Sequence, residues 1–140
     1  MHHPWQAFRE LVDWTLEWAH LPPGVWGETD FDRRTVTLTH GLNQAERRCT
    51  IEHERQHILR GPVDSAAYAA REEVEVDRNA ARVLLPDVHQ VGEALAWAHS
   101  LAEAAEELWV DEVILEARLR HLHPAEKAYL RRRLGEEPHE

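Results

Sequence analysis

Between Asn43 and Pro86 the chain carries two long helix-forming stretches separated by little more than Gly61-Pro62-Val63-Asp64-Ser65. So short a connection favours an antiparallel return, with the second helix lying back along the first. The first stretch opens on Asn43 with Glu46 three residues later, the pattern of a capping box, and stops at Gly61-Pro62. The second follows Asp64-Ser65 and is closed by Pro86, with residues 61–66 expected as loop. Any fold this chain adopts has to accommodate that helical hairpin.

The first helix of the pair contains His53-Glu54-Arg55-Gln56-His57, the pattern H-E-x-x-H. Residues four apart share a helical face, so both imidazoles can reach one Zn²⁺ while Glu54 flanks the place a metal-held water would occupy. Zinc lowers the pKa of such a water, and Glu54 is the residue to take its proton. A catalytic site needs a third ligand. On the second helix Ala66, Ala70, Glu73, Asp77, Ala80 and Leu84 fall on one stripe, so Glu73 and Asp77 interrupt a face that is otherwise small and apolar. Carboxylates on such a face are costly unless paired or bound to metal. Glu72, Glu75, Asn79 and Arg82 line a polar stripe suited to solvent, which ranks Glu73 above Glu75 as ligand. Asp77, one turn further on, is placed to hold the outer ring N–H of His53 or His57.

Around the hairpin the pattern is mixed. Trp5, Phe8, Val12, Leu16 and Ala19 recur at helical spacing, predicting an amphipathic helix from Pro4 to about His20, stopped by Leu21-Pro22-Pro23-Gly24. The alternating, β-branched run Arg34–Thr39 and the weaker Val25–Thr29 predict a short β-hairpin turning near Phe31-Asp32-Arg33. Beyond Pro86 the chain reads as helical, with Ser100 and Glu103 as a capping box, Asp111 as an N-cap, and Pro124 opening a last helix that ends at Gly135. The expected fold class is α+β: a mainly helical unit over residues 1–86 with a short antiparallel hairpin, and a helical C-terminal extension over 87–140 packed on it as one compact domain; the H-E-x-x-H pattern on its helix makes the first unit resemble a zincin.

Composition narrows the partners. With 140 residues the chain suits a single core, and a formal charge of −10 disfavours a broad grip on nucleic acid or an anionic membrane face. The single cysteine, Cys49, excludes an intrachain disulfide and suits a reducing compartment, so a cytoplasmic location is expected. Arg9, Glu10, Asp13 and Glu17 interrupt the apolar stretch that a signal peptide or membrane span would need. His2 and His3 receive no role.

The strand Thr35–Thr39, the run Arg47-Arg48-Cys49-Thr50-Ile51-Glu52-His53-Glu54, and the helix from Glu73 through Ala80 to Val83-Leu84-Leu85-Pro86 resemble, in that order, the ImmA/IrrE family of metallopeptidases. Glu73-x-x-x-Asp77 also resembles the ligand helix of thermolysin-like enzymes. The resemblance spans about residues 34–122. It implies zinc held by His53, His57 and Glu73, Glu54 as general base, Asp77 supporting a histidine, and a helix-turn-helix repressor as the protein cut or inactivated. Arg55-Gln56 departs from the family's apolar-Gly pair, and Asn79 stands where phenylalanine is common.

Two further readings concern substrate and partner. An exposed Arg34–Thr39 edge could add a peptide strand beside the metal. Tyr68, His40 and His89 are candidate donors to the oxyanion, each with a structural role as the more frequent alternative. Ser100–Leu122 has a helix-turn-helix outline, with Arg118 and Arg120 on its second helix. Residues 87–140 nevertheless hold twelve acidic and six basic side chains, so they are expected to be a structural or docking unit, without direct nucleic-acid contact, and Arg131-Arg132-Arg133 a solvated helix face. The competing functional readings are a zinc-bound regulator without catalysis and an acidic helical transcription regulator.

Overall fold

The computed structural model of the chain describes residues 2–135. Its class is α+β, a predominantly helical body carrying a three-stranded mixed sheet. The elements run α1 (Pro4–Arg9), β1 (Thr15–Ala19), β2 (Gly27–Asp30), β3 (Thr35–Thr39), α2 (Gln44–Arg60), α3 (Ala66–Leu84), α4 (Val88–Trp97), α5 (Leu101–Glu107), α6 (Glu112–Arg120) and α7 (Pro124–Arg133). No helix among the described residues is long and apolar enough to cross a membrane.

The first sixteen or so residues depart from the sequence reading. The helix ends at Arg9 rather than near His20, and Thr15–Ala19 is a strand. Val12, required on the buried side of a continuous helix, is 86% exposed, whereas Phe8 is buried. Thr15-Leu16-Glu17-Trp18-Ala19 fits both a helical and a two-residue period, and pairing decided between them. β1 runs parallel to β3 in a register that sets Leu16 beside Val36 and Trp18 beside Leu38. Tertiary ladder bonds thus override a local helical pattern.

The hairpin of β2 and β3 forms as expected, but the sheet order is β1-β3-β2. β3 is the central strand, so the Arg34–Thr39 edge proposed for peptide addition does not exist. The free edge toward the helices belongs to β2. Val36 and Leu38, both fully buried, face Ile51 and Ile58 of α2 and, with Phe8, Leu16 and Trp14, form the smaller core.

α2 and α3 form the antiparallel pair. Asn43 caps α2 reciprocally with Glu46, and Gly61 closes it at φ 89°, a value that favours glycine. Ser65 caps α3 through the amide of Ala67. The facing pairs Arg60 with Glu72, His57 with Glu73 and His53 with Asp77 fix the register. That register carries the first turns of α3 past the end of α2, which is why Ala66 and Ala70 are exposed although the stripe predicted them inward; Ala80 and Leu84 are buried. Glu72, assigned to solvent, pairs with Arg60 instead.

The larger core joins this pair to the C-terminal helices, with Cys49 of α2 and Ala80, Ala81 and Leu84 of α3 packed against Val91, Ala104, Ile114 and Leu115. Arginines stitch the units together, Arg82 of α3 by donating to the carbonyl of His121 at 2.8 Å. Arg48 donates to the carbonyls of Leu84 (3.3 Å) and Trp109 (2.9 Å), the latter residue holding a left-handed backbone, φ 60°, in the α5–α6 turn. Arg118, 1% exposed, donates to the carbonyl of Leu85 at 2.7 Å and grips Glu126 with both terminal nitrogens. The helix-turn-helix outline is present as α5 and α6, with Arg118 turned into the core. Asp111 caps α6 through the amide of Ile114 as predicted, while Ser100 caps α5 through the amide of Glu103 without the reciprocal Glu103 bond of a capping box; the Glu103 carboxylate lies 3.6 Å from His99 instead.

Candidate metal centre

The helical hairpin places His53, His57 and Glu73 against one another. Glu73 Oε2 lies 3.0 Å from His53 Nε2, and its Oε1 lies 2.9 Å from His57 Nε2. One donor atom from each of the three falls within 4.8 Å of the other two. The i, i+4 spacing sets the two rings on the same face of α2, their centroids 5.0 Å apart. Asp77 Oδ1 sits 2.9 Å from His53 Nδ1, so the carboxylate one turn beyond Glu73 orients the ring and turns Nε2 toward the cluster.

Charge explains how the cluster holds together. Burial opposes a proton on His53, yet the hydrogen bonds to Asp77 and Glu73, helped by the charges of Glu54 and Asp77, outweigh it and lift the imidazole to about 10. Glu73 is held below the usual carboxylate range, chiefly by its hydrogen bond to His53. A metal ion at this place would displace the proton on Nε2 and leave Asp77 holding the other nitrogen. Two imidazole nitrogens and a carboxylate oxygen within 4.8 Å of one another, lining a cleft, form a donor set that would fit zinc. Glu73 is 52% exposed, so its presence there needs no burial argument; the two imidazoles account for its position.

Glu54 lies on the neighbouring face of α2 and is 5% exposed. Thr29 of β2 donates its hydroxyl to Oε2 at 2.8 Å. Burial raises the Glu54 carboxyl above its ordinary value against the lowering influence of His53, the Thr29 hydrogen bond and His57. A buried carboxylate fixed by one hydrogen bond is the kind of group that can take and return a proton. Gly27 makes the arrangement possible: a Cβ there would come within 2.6 Å of Thr50 Cγ2 and 3.4 Å of Glu54 Cγ.

These residues open into a cleft of about 790 Å³. Its floor is α2; β2 and the segment before it form one wall, and Glu73, Asp77 and the start of α6 form the other. Tyr68, His40 and His89 are not among its lining residues; His40 packs on Trp18 and His20, His89 on Tyr129. Thr29 and Asp111 are among the lining residues that escaped the sequence reading in this capacity. Thr29 sits on a strand whose only signal was weak alternation, and Asp111 was legible as an N-cap alone. Burial raises the Asp111 carboxyl, which accepts from the Ile114 amide at 2.8 Å.

Behind the centre, Glu52 is fully buried and receives Arg55 at 2.8 Å and Gln56 at 2.7 Å, with His2 Nε2 also at 2.7 Å. Arg55 and Gln56, the residues that depart from the family's apolar-Gly pair, are thus the partners of an acid that could not otherwise be buried. His2, given no role from sequence, belongs to the same cluster. Comparison with protein-family models, with curated proteins and with solved structures yields no match.

Proposed function

We propose that this chain is a zinc-dependent metallopeptidase of the ImmA/IrrE type, acting in the cytoplasm on a protein substrate, with a helix-turn-helix repressor as the substrate the resemblance implies. The observation that carries the reading is the convergence of His53, His57 and Glu73 within 4.8 Å, beside a buried carboxylate, Glu54, of raised pKa. A zinc ion held by those three residues would supply Lewis-acid polarisation of a carbonyl and lower the pKa of a water.

The remaining roles belong to the chain itself. Glu54 accepts the proton of the attacking water at Oε1 or Oε2 and returns it to the departing amine, with Thr29 steadying Oε2. Asp77 keeps Nε2 of His53 aimed at the ligand position. β2 offers a free edge to an extended substrate: Trp26 pairs back to Thr39, so by antiparallel alternation the backbone groups of Gly27 and Thr29 point away from β3. A peptide adding there would lie along the cleft with its carbonyls near Glu54.

The test compares wild type with Glu54→Gln, both loaded with zinc and checked for metal content, on a library of internally quenched peptides. Wild type should cleave, and the variant should retain stoichiometric zinc while cleaving roughly 10² to 10⁴ times more slowly. Equal cleavage, or no stoichiometric zinc in either protein, would overturn the proposal. Function preserved in Glu54→Gln would identify instead a zinc-holding regulator that works by docking.

A further inference from the structure

The sheet has a second open side, along β1. Thr15 donates to the carbonyl of Arg34 at 3.0 Å and Ala19 accepts from the His40 amide at 3.3 Å, so in the parallel register Thr15, Glu17 and Ala19 turn their backbone groups to β3. The N–H and C=O of Leu16 and Trp18 therefore point outward, and among the described residues no other element bonds to them. An edge of this kind accepts an extended segment.

The side chains of the same two residues line a cavity of about 440 Å³. It lies across α2 from the metal centre: Arg47, Arg48 and Ile51 face this cavity, whereas His53, Glu54 and His57 face the cleft. Trp5, Trp18 and Trp109 surround it and are 45%, 44% and 47% exposed. Three tryptophans half in water around one concave site mark a contact surface. Trp109 adds an independent sign, because at φ 60° glycine is at ease and a bulky residue is an outlier. Its ring is too exposed for packing to account for a tryptophan there, and a ligand held against the ring supplies the reason.

Charge narrows the occupant. The chain has 26 acidic residues against 16 basic, yet no Asp or Glu lines this cavity, while His3, Arg47 and Arg48 do. Arg48 is occupied with the carbonyls of Leu84 and Trp109. Arg47 is exposed and, among the described residues, has no carboxylate partner. A second copy of the chain would bring these same cations to the contact, and its Glu17 lies on the face of β1 opposite Leu16 and Trp18.

We propose that the outer edge of β1 docks an acidic, extended segment of a partner protein. The segment pairs with the backbone of Leu16 and Trp18, sets an aromatic or large apolar side chain among the three tryptophans, and places a carboxylate two residues away against Arg47. The site is separate from the metal centre and holds whether or not the chain cuts peptides.

The test measures fluorescence anisotropy with the Glu54→Gln chain, so that no probe is cut. The parent probe is the fluorescein-labelled peptide Thr-Asp-Thr-Phe-Thr-Asp-Thr, whose Phe and Asp side chains share one face of a strand. Companion probes replace both Asp by Lys, or Phe by Ser, and two more carry N-methyl groups on one or the other alternating set of amides. The parent should bind about tenfold tighter than the Lys and Ser probes. One N-methyl set, the one turned toward β1, should weaken binding about tenfold and the other should leave it unchanged. Arg47→Glu should remove the preference for Asp over Lys, while Arg131→Glu, an equal charge change on α7, should preserve it. Trp109→Gly keeps the carbonyl that Arg48 holds and should weaken the parent probe about tenfold with the circular dichroism unchanged. Equal binding of the Asp and Lys probes, or a loss as large in Arg131→Glu as in Arg47→Glu, overturns the proposal. So does equal binding of the two N-methyl sets, which would leave only a pocket for a small aromatic anion. A dimer in sedimentation that Trp109→Gly dissociates also overturns it, by assigning the edge to a second copy.

Discussion

At the scale of single residues, the centre is organised by what each imidazole nitrogen touches. His53 meets a carboxylate on both sides, Asp77 at Nδ1 and Glu73 at Nε2, so its orientation does not depend on packing alone. Asp77→Ala should therefore leave the fold in place and weaken zinc binding about 10- to 100-fold, measured by competition with a chromogenic chelator. An unchanged affinity would mean that the ring is held by its neighbours and that Asp77 serves the helix rather than the ion. That His53 and His57 stand side by side with Glu54 next to them was legible because residues four apart share a helical face. Glu73 lies on the predicted stripe, yet it is half in water where that stripe implied burial. Thr29 and Asp111 were not legible as cleft residues, since their roles depend on which strand lies at the sheet edge and where α6 begins.

At the scale of elements, β2 is the thin wall on which the geometry of Glu54 depends. It is four residues long, bonded to one neighbour, and pressed against α2 at Gly27. Gly27→Val should lose about 1–3 kcal/mol in urea unfolding and cut any peptidase rate by more than the stability change explains, because the strand must move off Thr50 and carry Thr29 away from Glu54. Rates that merely track the folded fraction would count against that positional role. Thr37→Pro has a different consequence from the one an edge strand predicts. β3 is paired on both sides, so the proline removes an interior ladder bond and should lower the melting temperature outright, with stability and zinc retention falling together. The misreading of β1 has the same origin: five residues that alternate can also be laid on a helix, and the strand that selects between the two patterns arrives sixteen residues later.

At the scale of the molecule, the C-terminal helices are fastened to the helical hairpin by charge as well as by packing. Arg82 of α3 and Arg118 of α6 both reach Glu126 of α7. The hydrogen bonds from Arg118, ahead of opposing desolvation and of those from the His123 amide and Arg82, hold the Glu126 carboxyl at about 2 against an ordinary 4.5. A carboxyl depressed by folding contributes stability that is complete above its unfolded value and disappears as pH falls through its folded one. Glu126→Gln should cost about 3–5 kcal/mol at neutral pH, since buried Arg118 loses its counter-charge, and the gap from wild type should narrow as pH drops from about 4.5 toward about 2. Urea titrations across that range measure it, and a gap independent of pH would assign the loss to packing. The outward half of Glu73 has an effect on how the protein trades with its surroundings. A ligand that water can reach from one side can be let go and retaken without opening the core, so ion exchange should be quick: dialysis against EDTA should strip the centre while the helical circular dichroism stays constant, and added zinc should refill it without a refolding lag.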